Sequence, residues 1–541
     1  SSLYPYSLFF PFLPPTTSSN FWDFLPPHAT ESFFFAPTNP LSVSQHILSI
    51  KPKPSLDCNE VSMKLLHKVA GPVSIPLSHI YNLSVSEGKF PEKMKLSRAI
   101  PIFKSGNPSD IDNYRLVVLI DSFSKVFEKI AYENLIKFLN KANFFSQRQF
   151  GFRKNHSTSH CLLDIINNIS ECLNNNEICL MLLLDIQKCF DLVNREILLQ
   201  KLDHYGIRGV ANNWFKSYFE NRAQKVHLNG FDSTNLCLIL LGILQGSILG
   251  VLLFLIFVND ISRACQHMIQ DLFADDNTCL VKAKNISDLI TLANSEISNL
   301  QKWYNSNLLL IHPQKTKCIL FHPPRTAPKL SKSEDGNYYI PIFLNLNNLD
   351  EHDITKIIPI QLVPSDGSAK SLGLLIDNKL NLKCHFKAMH TKVSRAVFSL
   401  NQMKHLLDKR HLLLLYNCYV KSNIEYACGL FGLASESTLN PIFLLQKRAV
   451  RIICKAGYLD NTAHLFRRER ILPIDKLIKF NSMRLMFDYG HALLPSIFIF
   501  PKFTWIKTNQ IHNINLRNAN NYYIEHVRAI YLKSHPLFSF L

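Results

Sequence analysis

Three aspartates in the middle of the chain could together bind divalent cations. Asp275 and Asp276 are adjacent in a Phe-Ala-Asp-Asp sequence, between two short apolar runs that are typical of paired strands. We predict a hairpin with its tight turn at the Asp-Asp-Asn sequence, 275–277. Two carboxylates about 4 Å apart repel by roughly 4 kcal/mol at an effective dielectric near 20. A fold that keeps them together usually does so to hold metal, although an isolated Asp-Asp pair is more often a solvated turn.

The third aspartate, Asp185, favours the metal interpretation. It follows an apolar run, 178–184, that predicts a fully buried central strand. A carboxylate at a strand end and a carboxylate pair on a hairpin are a ligand set for two Mg²⁺ ions, because hard cations prefer oxygen ligands. Two ions ~3.5–4 Å apart can activate a 3′-hydroxyl and stabilise a leaving pyrophosphate. The predicted chemistry is nucleotidyl transfer, with Asp185, Asp275 and Asp276 as metal ligands.

Further motifs extend this pattern along the chain. A D-x-x-x-x-F-D pattern begins at Asp185, Gln-Gly-Ser follows at 245–247, and Phe-Ala-Asp-Asp comes last. In this order they resemble the reverse transcriptases of jockey-like non-LTR (LINE-type) retrotransposons, from about residue 51 to residue 473. The resemblance implies an α/β (α+β) right-hand polymerase fold, with fingers, a helical thumb and an antiparallel-sheet palm that has helices on one face. It also implies an RNA-directed DNA polymerase that uses an RNA template, a DNA primer or target DNA, deoxynucleoside triphosphates and Mg²⁺ (or Mn²⁺).

The same resemblance implies which residues surround the incoming nucleotide. Lys104 and Arg115 match basic residues of the fingers hairpin, and both suit phosphate oxygens. Phe190 matches the aromatic that floors the sugar pocket and excludes a ribose 2′-hydroxyl. Gln245 would contact nucleotide or template, and Gly246 would let the backbone approach closely. The alternatives are that the two cations are solvated surface residues and that Phe190 belongs to the core.

Three more basic residues take roles from the resemblance. Lys315 is placed to protonate the departing pyrophosphate, and an ordinary lysine pKa of ~10.4 keeps it charged near phosphates. Arg153 and Lys154 follow a glycine in a loop that opens a predicted helix, an arrangement suited to backbone phosphates. We expect these two residues to contact template.

The domain boundaries are predicted from composition together with the resemblance. Residues 1–50 are an irregular, truncated lead-in, 51–385 the fingers and palm, and 386–541 a helical thumb and C-terminal region. The basic helices after 386 suit a nucleic-acid duplex, with a solvated helical tail as an equal alternative. Intact relatives carry an upstream endonuclease, which this chain is expected to lack.

One alternative function is a catalytically inactive nucleic-acid-binding relic of such an element. Leu116, Leu244 and Val251 stand where many relatives have proline, which fits relaxed selection. All three aspartates are kept, which favours an active enzyme.

Charge and cysteine usage narrow the class of protein. The 541 residues carry a formal net charge of +18, and the first 50 contain no Lys or Arg. A basic globular body favours a polyanionic partner. The 13 cysteines include no C-x-x-C and lie mostly in apolar runs, which favours a reducing compartment over disulfides or a zinc knuckle. The expected location is intracellular, in nucleus and cytoplasm as a ribonucleoprotein.

Residues 236–258 contain no charge and are long enough for a membrane span. Three glycines and a glutamine interrupt this run, so a strand–turn–helix is the competing interpretation. The Gln-Gly-Ser match decides for the strand–turn–helix, and no membrane association is expected.

Local patterns elsewhere predict three further features. A helix over 62–69 should end at Gly71-Pro72 and resume at 75. Residues 308–311 and 317–321 should form a strand pair. Residues 323–368 are polar and punctuated by Pro, Asp and Asn, which indicates an irregular insertion loop.

Overall fold

The computed structural model describes residues 20–228, 230–323, 331–332, 338–346, 356–364 and 367–498. The predicted lead-in up to residue 19 and the C-terminal stretch from 499 lie outside the described residues. Within the described ranges the α-helices are α1 Pro40–Ser49, α2 Met63–Lys68, α3 Ala70–Glu87, α4 Ser122–Lys141, α5 Thr158–Asn174, α6 Arg195–His204, α7 Val210–Phe219, α8 Ile248–Val258, α9 Ile286–Ser306, α10 Lys383–Met403, α11 Lys409–Leu415, α12 Ser422–Glu425, α13 Glu436–Cys454, α14 Ala463–Arg468 and α15 Ile474–Gly490.

The strands are β1 Leu96–Phe103, β2 Tyr114–Ile120, β3 Ile178–Leu184, β4 Ala223–Leu228, β5 Phe231–Asp232, β6 Cys237–Leu238, β7 Ile269–Phe273, β8 Asp276–Ala283, β9 Lys317–Phe321, β10 Ser331–Lys332, β11 Tyr338–Tyr339, β12 Phe343–Leu346, β13 Lys356–Pro359, β14 Gln361–Leu362, β15 Ala369–Ser371 and β16 Leu374–Ile376. The fold is therefore a mixture of helices and sheets, as predicted.

A five-stranded sheet in the order β14-β9-β3-β8-β7 organises the chain. Its central strand β3 is antiparallel to both β8 and β9, and β7 is antiparallel to β8. The short strand β14 is parallel to β9, so the sheet is not wholly antiparallel.

Helices cover both faces of this sheet, whereas helices on one face were predicted. Leu180 and Leu182 of β3 join a hydrophobic cluster that includes α8 and α9. Cys179 and Met181 point the other way, into a second cluster with α5 and the C-terminal helices. Successive side chains of a strand alternate between faces, so an unbroken apolar strand requires cover on both.

A second sheet, β2-β1-β4-β5, contains the hairpin expected to carry the basic residues of the fingers. Strands β1 and β2 are antiparallel from Ser97 opposite Ile120 to Phe103 opposite Tyr114. Strand β4 is parallel to β1, and β6 pairs with β4. This sheet contacts the Gln-Gly-Ser loop through β2.

The uncharged segment 236–258 is a strand, a turn and a helix, as predicted. Strand β6 and the Gln-Gly-Ser loop precede α8, which has only 11 residues. No helix in the part of the chain that the structure describes is both long and apolar enough to cross a membrane.

The three local predictions were each wrong in part. The break between α2 and α3 falls at Val69, and α3 continues through Gly71-Pro72. Proline is tolerated there because the first turn of a helix needs no donor from it. Ile311 forms an isolated bridge with Ile186 rather than pairing with β9, because β9 already lies beside β3.

The expected insertion loop contains regular structure where it is described. Strands β12 and β13 are antiparallel, and β14 extends the central sheet. Ile340, Ile342 and Leu344 are buried in the core, so their alternation places one side of this segment against α9.

Candidate active site

The register of the central sheet places Asp185 next to Asp276. The last pair between β3 and β8 is Leu184 opposite Asn277. Continuing this register by one position sets Asp185 opposite Asp276, and opposed residues of antiparallel strands project from the same face. Asp275 precedes Asp276 in the β7–β8 turn. The three predicted ligands therefore lie together at one edge of the sheet.

The turn itself differs from the prediction. It consists of Ala274 and Asp275, because Phe273 pairs with Asp276 and β8 already begins there. Ala274 has a φ of 57°, a left-handed conformation that an alanine rarely adopts. Local preferences pointed to Asp-Asp-Asn, and tertiary contacts place the turn earlier.

The electrostatics of the site show that the carboxylates interact. The pKa of Asp276 is raised to about 6, first by burial and then by the charges of Asp275 and Asp185. Part of the Asp276 side chain reaches solvent, but the protein atoms around it displace much of its hydration. Cys189 Sγ lies 3.4 Å from Asp275 Oδ2, and burial followed by this carboxylate raises the pKa of the thiol.

The three carboxylates have the charge and the oxygen donors that suit a divalent cation, but their side chains do not surround a metal position. No group of three or more His, Cys, Asp or Glu side chains within the described residues is arranged to enclose a metal ion. The mutual repulsion that raises the pKa of Asp276 is what a bound cation would relieve. Asp185, Asp275 and Asp276 therefore offer the donor type and the charge that a hard cation prefers.

The ammonium group of Lys315 lies next to one of the three carboxylates. Its Nζ is 3.5 Å from Asp185 Oδ2. The turn that carries Lys315 is tied to Asp185 because the His312 backbone N–H donates to the Asp185 carbonyl at 2.8 Å. Thr316 closes the turn by donating its hydroxyl to the His312 carbonyl at 2.9 Å.

The Gln-Gly-Ser loop lies directly against β2. The Val118 N–H donates to the Gln245 carbonyl at 2.9 Å. Gly246 has a φ of 120°, and an added Cβ would lie 2.5 Å from the Val118 carbonyl oxygen. Both the conformation and the space require glycine, so the close approach expected of Gly246 is to β2.

Phe190 lies beside this loop. It is partly buried and stacks on Phe254, with ring centroids 4.5 Å apart. The Ile243 N–H donates to the Phe190 carbonyl at 2.8 Å, and Gln245 Nε2 approaches Asp191 Oδ1 at 3.5 Å. Phe190, Asp191 and Gln245 are thus brought together.

The two basic residues of the β1–β2 hairpin are placed differently. Burial raises the pKa of Asp191, and the charges of Lys188 and Arg115 oppose that rise. Arg115 is therefore near the loop that follows Asp185. Lys104 is exposed in the turn beyond the last strand pair, where its N–H donates to the Asn113 carbonyl at 2.9 Å.

Arg153 and Lys154 also differ from each other. Arg153 Nη1 donates to the Ser146 and Gln149 carbonyls at 2.7 and 3.2 Å, and its guanidinium lies over the Phe145 ring. This side chain supports its own loop. Lys154 is exposed.

Sequence reasoning missed two buried residues that shape the site. Glu128 of α4 accepts from the backbone N–H groups of Ile248 and Leu249 at 2.7 and 3.3 Å, at the N-terminus of α8. Gln149 accepts from backbone N–H groups of two separate segments. For Glu128 the available signal was a carboxylate on the otherwise buried face of α4, whereas Gln149 lies in no helix or strand.

Residues 102–362 match the family model described as reverse transcriptase (RNA-dependent DNA polymerase). The chain is 26 % identical over 475 residues to a probable RNA-directed DNA polymerase from transposon BS of Drosophila melanogaster, covering 83 % of this chain and 48 % of that protein. It is 27 % identical over 427 residues to the RNA-directed DNA polymerase from mobile element jockey of the same species, covering 74 % and 42 %.

A probable RNA-directed DNA polymerase from transposon X-element of Drosophila melanogaster is 25 % identical over 413 residues, with 74 % of this chain and 42 % of that protein covered. The chain spans less than half the length of these three curated relatives. The match extends on both sides of the carboxylates and confirms the resemblance. Residues 102–362 therefore form a segment that matches reverse transcriptases, and the chain is similar over most of its length to RNA-directed DNA polymerases from jockey and other Drosophila mobile elements.

Proposed function

We propose that this chain is an RNA-directed DNA polymerase that adds deoxynucleotides to a primer 3′-hydroxyl on an RNA template. The observation that carries the proposal is the convergence of Asp185, Asp275 and Asp276 at one sheet edge inside the reverse transcriptase segment. The names of the relatives support the same activity.

Asp185, Asp275 and Asp276 would hold two Mg²⁺ ions, or Mn²⁺ in their place, which supply an activated hydroxyl and charge neutralisation of the pyrophosphate when bound. The remaining steps belong to residues of the chain. Lys315 holds a proton on Nζ beside Asp185 and donates it to the departing pyrophosphate. Arg115 binds triphosphate oxygens from the β1–β2 hairpin, with Lys104 at its turn.

The sugar and base of the nucleotide lie against the loops around Phe190 and Gln245 in this proposal. Phe190 limits room at the sugar 2′ position, and its stacking on Phe254 holds the ring in place. Gln245 and Gly246 face the nucleotide or the template. Lys154 contacts template phosphate, with Arg153 bracing the loop that presents it.

The finer architecture and domain limits belong to the same proposal. The central sheet is the palm, the β1–β2 hairpin is part of the fingers, and α10–α15 are the thumb, with boundaries at 51–385 and 386–541. Helix α10 begins at Lys383, close to the second boundary. The 13 cysteines lie mostly in apolar runs and include no C-x-x-C, the pattern on which we base a reducing intracellular compartment and a ribonucleoprotein in nucleus and cytoplasm.

Primer extension on an RNA template with deoxynucleotides and Mg²⁺ tests the proposal. The wild type should extend the primer, and Asp275→Asn/Asp276→Asn should lose about 10³-fold or more of that rate. The surface variant Asp203→Asn controls for loss of a carboxylate outside the site. Equal extension by wild type and the double variant would refute the assigned site. Folded wild type that binds primer–template without extending it would support the inactive relic instead.

A further inference from the structure

Residues 148–150, just before the loop of Arg153 and Lys154, pair with β7 of the β7–β8 hairpin like a short additional strand. The Leu272 N–H donates to the Arg148 carbonyl at 2.9 Å, and the Phe150 N–H donates to the Leu272 carbonyl at 2.8 Å. Gln149 forms a parallel bridge with Leu272. Residues 148–150 therefore cover the outer edge of β7, which is otherwise the last strand of the central sheet.

The Gln149 side chain reaches past this edge to the turn. It is 1 % exposed, and its Oε1 accepts from the Gly151 N–H at 2.9 Å and from the Ala274 N–H at 3.1 Å. Ala274 is buried and has a φ of 57°. A non-glycine residue persists in this conformation only when its surroundings hold it there. The amide oxygen of Gln149 is such a contact, one residue before Asp275.

Gly151 shows how little space separates the two segments. A Cβ added there would lie 2.4 Å from the Ala274 nitrogen and 2.9 Å from the Phe273 carbonyl carbon. Both are backbone atoms, so they cannot move without moving the turn. A displacement of Gly151 toward the turn would therefore push on the carboxylate-bearing hairpin.

Arg148 anchors the start of this segment. Its Nη1 donates to Asp271 Oδ1 of β7 at 2.8 Å and also pairs with Asp164 of α5. The Asp271 side chain is fully buried. The segment is thus fixed to a helix and to the hairpin at one end and leads into the loop of Arg153 and Lys154 at the other.

We propose that Gln149 is a positioning residue for nucleotidyl transfer. Its amide oxygen holds the Ala274-Asp275 turn in the conformation that sets Asp275 and Asp276 beside Asp185. This inference rests on the proposed function. Gln149 acts through the hairpin and contacts no reacting atom, and it couples the template-side loop rigidly to the catalytic carboxylates.

Gln149→Met tests this role because methionine has similar length and lacks a strong acceptor at that position. The rate of single-nucleotide incorporation, kcat, should fall about 10- to 100-fold, as expected for small misplacement of reacting groups. The KM for primer–template should stay within about twofold, and half-maximal activity should require more Mg²⁺. Gly151→Ala should reproduce the kcat loss by pushing on the same turn.

Asn82→Leu is the matched control. Asn82 Oδ1 accepts from the Thr38 N–H at 2.8 Å, so it also bridges two segments through an amide oxygen. It lies on α3, which supplies none of the proposed site residues. The kcat and Mg²⁺ dependence of folded Asn82→Leu should equal those of wild type.

Hydrogen–deuterium exchange gives a readout that does not depend on activity. The peptide spanning 268–283 should exchange faster in Gln149→Met than in wild type or Asn82→Leu. Wild-type kcat in Gln149→Met, with or without faster exchange, would overturn the positioning role while leaving the polymerase intact. If the wild type is inactive, the proposed function fails. If exchange is also unchanged in Gln149→Met, then Gln149 does not stabilise the Ala274-Asp275 turn.

Discussion

Nζ of Lys315 lies 3.5 Å from Oδ2 of Asp185, in a site where three carboxylates otherwise repel one another. Both side chains are partly exposed, so their attraction alone is weak. The backbone bond from His312 to the Asp185 carbonyl holds the lysine turn against the strand end. The turn that carries Lys315 is therefore placed by the fold rather than by the ion pair.

Two variants of Lys315 distinguish the role of its positive charge from its role as a proton donor. Lys315→Ala should reduce kcat about 10²–10⁴-fold, the usual contribution of a general acid. Lys315→Arg should restore nucleotide KM but not kcat, because arginine keeps its charge and does not release a proton near neutral pH. Single-nucleotide incorporation measures both constants, with the exposed Lys302→Ala as control. Full kcat in Lys315→Arg would show that only charge is needed.

Gly246→Ala should separate the Gln-Gly-Ser loop from β2. The added Cβ would lie 2.5 Å from the Val118 carbonyl oxygen, at a φ of 120°. Such conformations cost of order 1–3 kcal/mol for other residues. We expect a comparable loss in the free energy of unfolding by urea and a raised KM for nucleotide. Gly429→Ala meets nothing within 4 Å and should change neither quantity.

Removing one partner of the Lys201–Asp260 ion pair should destabilise the protein more than replacing both. Lys201 Nζ donates to both carboxylate oxygens at 2.8 Å and to the Phe257 carbonyl at 2.7 Å, with both side chains fully buried. Lys201→Met should cost about 3–5 kcal/mol because it leaves Asp260 unpaired. Lys201→Met/Asp260→Leu should recover most of this loss in urea unfolding. Equal stability of the single and double variants would contradict the explanation.

His385 should make the protein less stable in mild acid. Burial, helped by the charge of Lys392, lowers the pKa of His385 from 6.5 to about 4. Below pH 6.5 His385 becomes protonated in the unfolded chain but stays neutral in the folded protein. The free energy of unfolding therefore falls as the pH drops toward 4. The contribution at pH 5 is roughly 2 kcal/mol.

His385→Phe should remove that contribution, since a phenyl ring suits the ring contacts that His385 makes with Phe386 and Phe431. The stability of the variant relative to wild type should therefore rise between pH 7 and pH 5 in urea unfolding. A constant difference across this range would mean that His385 titrates normally in the folded protein.

The parts of the site that depend on a local sequence pattern were predictable from the sequence. Strand β3 was recognisable because seven successive apolar residues need cover on both sides, and Asp185 follows them directly. The hairpin was recognisable from its apolar flanks. Its turn was misplaced because Ala274 adopts a conformation that its own preferences oppose, held by Gln149, 125 residues away.

The sequence by itself determined which chemistry is available: carboxylates, a lysine and a Gln-Gly-Ser loop in an order shared with reverse transcriptases. Residue type and spacing suffice for this because they depend on neighbours along the chain. Only the tertiary structure decided that Asp185 stands opposite Asp276, that Arg153 turns inward while Lys154 is exposed, and that Gln149 supports the turn. These relationships arise from strand register and buried hydrogen bonds between distant segments, which no local pattern specifies.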